Sequence, residues 1–124
     1  MAETFNELYR DLSKEVFLEQ ARQQVAQGAD TIAQAQAYAE QGKPDFTLAY
    51  LLLAATSDEI KRDIFARSYE RRAILSDERA EEFDRQYHRP FPLIKLEAQK
   101  DRLSAQQVQQ GKRVRRGGKA INMN

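Results

Sequence analysis

Glu81, Asp84 and His88 stand three and four residues apart. On a helix that spacing puts two carboxylates and an imidazole on one face, a donor set that suits a divalent metal. A site needs three or four ligands, and the chain has one histidine and no cysteine to complete it. The spacing therefore predicts a solvated acidic face with Glu81 paired to Arg85. Asp77, Glu78, Glu81, Glu82 and Asp84 form the densest acidic cluster. Paired carboxylates do acid–base work only when burial or a neighbour separates their pKa values, and a surface helix offers neither. No GxSxG elbow, phosphate-binding glycine loop or HExxH pair is present. Ser13, Ser57, Ser68, Ser76 and Ser104 are sparse, and most sit where a helix cap would use them. The sequence predicts no enzyme: no catalytic, metal-binding or cofactor-binding residue is assigned.

Two other groups of residues could act by binding. Lys112, Arg113, Arg115, Arg116 and Lys119 put five cations in a short stretch without an acid. Such residues neutralise phosphates and release counterions, so they form a candidate RNA or DNA contact. No aromatic side chain is interleaved to stack on bases. Phe91 lies between Pro90 and Pro92. A ring held between two prolines either anchors a partner or plugs the base of its own bundle.

These residues belong to a chain of 124 residues, 41% hydrophobic and 31% charged, a size that can bury a core without disulfides. The net charge of +1 hides an asymmetry. Five of the 20 basic residues lie in the last thirteen positions, leaving fifteen against 19 acids, about −4, on the rest. The first ten residues carry Glu3, Glu7 and Arg10 and lack the apolar core of a secretory signal. The absence of cysteine suits a cytoplasmic protein. The most apolar run, Phe46 to Ala55, is too short to span a bilayer.

The elements read as helices throughout. Thr4-Phe5-Asn6-Glu7 has the form of a capping box. Leu18, Ala21, Val25, Gly28, Ile32, Ala35 and Ala39 alternate spacings of three and four, which predicts one long helix over 14–41 with a close crossing at Gly28. Asp30 offers an alternative cap that would break this helix at Gly28. Gly42-Lys43-Pro44 ends it and starts the next helix. Residues 45–55 are apolar nearly all round, which predicts a buried central helix with Leu52 and Leu53 inside. Thr56-Ser57-Asp58-Glu59 starts a further helix with Ile60, Ile64, Phe65, Tyr69 and Ala73 on its buried face. His88-Arg89-Pro90-Phe91-Pro92 stops it. Leu93, Leu96 and Leu103 predict one more amphipathic helix, and flexibility is expected from about Gln109.

Ala35, Tyr38, Ala39, Gly42-Lys43-Pro44-Asp45-Phe46, Ala49 and Leu52-Leu53 together resemble the helix–turn–helix of a tetratricopeptide repeat. The run Phe65 to Leu75, in which Tyr69 precedes Arg72-Ala73 and Ile74, is similar to the third helix of microtubule-interacting-and-transport domains. There is no second repeat unit, and the preceding long helix departs from the latter plan. Both families bind peptides or helices in grooves between helices, so the resemblance implies a groove-binding module.

The expectation is an all-α domain over 1–108, a compact bundle of four to five helices with a long helix and a buried central helix, and a flexible basic tail over 109–124. The function expected is a non-catalytic adaptor that binds a partner protein, or itself, with Tyr69, Arg71, Arg72 and Phe91 as binding residues. The alternative is a nucleic-acid- or ribosome-associated protein using Lys112, Arg113, Arg115, Arg116 and Lys119. Neither reading involves a membrane or a small-molecule substrate.

Overall fold

The computed structural model describes residues 3–114, and the chain there is helical, with no strand among the described residues. Six helices follow one another among the described residues: α1 (Phe5–Tyr9), α2 (Glu15–Ala26), α3 (Thr31–Glu40), α4 (Pro44–Leu53), α5 (Asp58–Tyr87) and α6 (Pro92–Gln109). A 3-10 turn, Arg10–Leu12, joins α1 to α2. No helix among the described residues is long and apolar enough to cross a membrane.

Local chemistry sets most of the helix ends. The Thr4 hydroxyl accepts from the Glu7 amide at 3.2 Å, and the Glu7 carboxylate accepts from the Thr4 amide at 2.8 Å. These bonds hold the Glu7 carboxyl below its ordinary range. The expected long helix over 14–41 is instead two helices. Gly28 adopts φ +99, and its amide and that of Ala29 bond back to Val25 and Gln24, closing α2. Asp30 then caps α3, accepting from the amides of Ile32 and Ala33 at 3.1 and 3.2 Å. A side chain at Gly28 would meet nothing within 4 Å, so no helix crosses there. The three-and-four register survives the break because α2 and α3 both pack on α4. Leu18, Ala21, Ala35 and Ala39 are buried, while Val25 and Ile32 pack at the margin.

The close approach falls at Gly42. Its φ is +68, and an added Cβ would sit 3.0 Å from both the Cα and the nitrogen of Arg72 on α5. Glycine alone allows that backbone turn against that neighbour. Pro44 then occupies the first turn of α4, whose Leu48, Ala49, Tyr50, Leu51 and Leu52 are buried. Leu53, expected inside with Leu52, is only partly buried.

Phe5, Tyr9 and Phe65 meet edge to face, with ring centroids 4.9 to 5.8 Å apart, and join α1 to α5. Phe17, Phe46 and Tyr38 stack where α2, α4 and α3 meet. Buried Lys61 donates to Asn6 Oδ1 at 3.1 Å, and Asn6 donates to the Leu52 carbonyl at 3.0 Å. Burial pushes the Lys61 ammonium below its usual range, opposed by Asp58.

α5 has no Gly or Pro in its 30 residues, so nothing interrupts it. The main core ends on it at Tyr69, and on α6 at Ala105 and Val108. From Ser76 onward α5 and α6 form a projecting antiparallel hairpin, about 18 Å long at 1.5 Å per residue. The seam between α5 and α6 is built of Ala73, Ser76 and Ala80 on α5 and Ala98 and Asp101 on α6. Small residues let the two helices approach closely. Leu93, Leu96 and Leu103, expected to define the buried face of α6, are instead 76%, 42% and 53% exposed. α6 turns its small side chains toward α5, and the leucines face away.

Candidate interaction site

The residues expected to line a partner groove are occupied by contacts within the chain. Arg72 Nε and Nη2 donate to the two carboxylate oxygens of Asp101 at 2.9 and 2.8 Å, a two-pronged bond from α5 to α6. This bond holds the Arg72 guanidinium above its usual range, against partial desolvation. The Asp101 side chain is only 8% exposed, whereas that of Arg72 is 44% exposed. The guanidinium also lies 5.5 Å from the centroid of the Tyr69 ring. Tyr69 is half-buried against Phe65, and burial pushes its phenol well above the ordinary range, opposed by Arg72. Arg71 Nε donates to the Glu40 carbonyl at 3.0 Å and so caps the C-terminus of α3. Tyr69, Arg71 and Arg72 thus join α3, α5 and α6 to one another.

Phe91 is placed differently. It packs on Phe83 and Tyr87 with centroids 5.3 and 5.9 Å apart, at the tip of the hairpin. Phe91 is thus not among the rings of the main core, which are Phe5, Tyr9 and Phe65 with their neighbours, so it does not plug the bundle there. Arg89 lies over Phe91 at 5.4 Å. Tyr87 is 55% exposed. His88 ends α5 in the left-handed conformation, φ 57. Among the described residues no group of three or more His, Asp or Glu side chains is placed to hold a metal ion. Asp77 pairs with Arg102 of α6 at 2.5 Å, so this member of the acidic cluster braces the hairpin.

The start of the expected tail rests on the body. Residues to Gln109 are helical, and the amides of Gly111 and Lys112 bond back to Val108 and Gln107. The Tyr9 hydroxyl donates to the Lys112 carbonyl at 2.6 Å. Burial pushes the Tyr9 phenol up to about 12, with Arg62 opposing. Arg113 pairs with Glu3 at 3.1 Å, and Val114 packs against the core. Lys112 keeps an exposed side chain. Arg115, Arg116 and Lys119 lie outside the described residues.

Sequence reasoning missed Asp101 and the outward leucines of α6. One available signal was the row Ile94, Ala98, Asp101, Ala105 and Val108, which has the same three-and-four spacing as the leucine row. The polar member argued against that row until its partner Arg72 was in view. Comparison with protein-family models, with curated proteins and with solved structures finds no match for this chain.

Proposed function

We propose that the protein is a non-catalytic cytoplasmic scaffold or adaptor that binds a partner protein through the tip of its α5–α6 hairpin. The observation that carries this reading is the edge-to-face group of Phe83, Tyr87 and Phe91 at the end of a projecting arm, with Tyr87 largely exposed and Arg89 over Phe91. Aromatic and arginine side chains dominate the energetics of protein interfaces. The contacts that Tyr69, Arg71 and Arg72 make within the chain support the tip over an inter-helix groove. The cysteine-free composition supports a cytoplasmic setting.

The test is affinity capture from the native cell extract with wild-type protein and with the variant Tyr87→Ala/Phe91→Ala, both shown helical by circular dichroism. A protein retained in stoichiometric amount by the wild type and lost with the variant is the expected result. Retention of the same proteins by both overturns the reading. A nucleic acid retained by wild type and lost when residues 115–124 are removed favours the basic segment instead.

A further inference from the structure

We infer that the outer face of α6 is a docking surface for the same face of a second copy, with the two α6 helices antiparallel. Leu93, Leu96, Lys100 and Leu103 follow at spacings of three, four and three, which is the seam of a two-helix coil. They lie on the side of α6 opposite its buried row of Ala98, Asp101, Ala105 and Val108, and the three leucines are 76%, 42% and 53% exposed. Three leucines in one row on the outside of a two-helix arm form an unpartnered hydrophobic strip.

The strip is self-complementary in one orientation. A two-fold axis at the level of Ala98 places Leu93 opposite Leu103 of the second copy, and Leu96 opposite Lys100 of the second copy. Each layer then occurs twice, as an isologous contact requires. The charges select the same arrangement. Glu97 and Lys100 form no ion pair or side-chain hydrogen bond among the described residues, whereas Asp77, Asp101 and Arg102 of the same hairpin all do. The antiparallel register sets Glu97 of each copy beside Lys100 of the other. A parallel pairing would instead set Lys100 directly on Lys100, which repels, and would leave Glu97 beside Gln99 of the second copy rather than beside Lys100. The leucine strip ends at Leu103, because Gln107 and Gln110 continue the same row. The contact therefore spans about 16 Å of helix, and a short interface of this kind gives a weak, concentration-dependent dimer. This face is separate from the aromatic tip, so the two readings stand or fall independently.

Sedimentation equilibrium of the full chain over a range up to about 0.5 mM tests the inference. The wild type is expected to pass from monomer to dimer within that range. Lys100→Glu or Glu97→Lys alone places like charges beside each other and is expected to weaken the dimer at least tenfold, with helicity unchanged. The double swap Glu97→Lys/Lys100→Glu restores both cross-pairs and is expected to dimerise within about threefold of wild type. An equimolar mixture of the two single variants is expected to form heterodimers as readily as the wild type forms homodimers. A monomeric wild type, single variants that dimerise undiminished, or swaps and mixtures that restore nothing each overturn the inference.

Discussion

Replacing Arg72 with Met removes the guanidinium and keeps most of the apolar stem. It leaves the Asp101 carboxylate, 8% exposed, without the two donors that hold it at 2.8 and 2.9 Å. Orphaning one member of a fully buried pair costs about 3–5 kcal/mol. Here the arginine is 44% exposed, so water reaches part of the vacated space and the cost falls to about 2–3 kcal/mol. The reverse change is cheaper. Without Asp101 the guanidinium turns to solvent, and alanine suits both the helix and the small-residue seam, so Asp101→Ala is expected to cost about 1 kcal/mol or less. The double variant should be no less stable than Asp101→Ala, because the second change then orphans nothing. Urea unfolding followed by circular dichroism reads all four proteins, and a loss of 2–3 kcal/mol moves the midpoint by about 1–2 M at usual slopes. The coupling between the two changes should be about 2 kcal/mol. Additive losses, or an Arg72→Met variant within about 0.5 kcal/mol of wild type, would refute the view that this pair joins the hairpin to the body.

Gly42→Ala is expected to lose about 2–4 kcal/mol, combining a left-handed backbone with a Cβ 3.0 Å from the Arg72 backbone, whereas Gly28→Ala pays only the backbone part, about 1–2 kcal/mol; the gap between their urea midpoints checks this. Tyr9 is held neutral by burial, so its contribution is complete below pH 10 and is lost as pH rises toward its folded value of about 12. Tyr9→Phe should therefore flatten the alkaline fall in stability while losing about 1 kcal/mol at pH 7 with the bond to the Lys112 carbonyl, and unfolding at pH 7, 10 and 11 reads both effects. Comparison of the two proteins at each pH isolates Tyr9 from Tyr69, which shifts in the same direction, and from Lys61, which shifts in the opposite one. If the basic segment binds RNA, five phosphate contacts give a slope of log K against log salt of up to about −3.5, and neutralising Arg115 and Arg116 removes about 1.4 of it; equal affinity of full-length and truncated protein at two salt concentrations excludes that use.

The helix-forming class of the chain, and most of its helix ends, were legible because they depend on residues within a few positions of one another. Thr4 with Glu7, Gly42 with Pro44, and Pro90 with Pro92 act through the backbone next to them. Gly28 and Asp30 carried the right local signals too, but a register shared by two helices packed on one neighbour imitated a single helix. The direction in which each helix turns was decided only in three dimensions. Leu93, Leu96 and Leu103 look like a buried face until α5 and α6 meet closely along alanine and serine and leave those leucines outside. Asp101 looks like a surface residue until Arg72, 29 positions away, supplies two donors. The basic segment looks detached until Tyr9, 103 positions away, holds Lys112. Caps and breakers are short-range chemistry, whereas the face a helix buries is chosen by the shape and charge of a partner that the chain brings back from far along its length.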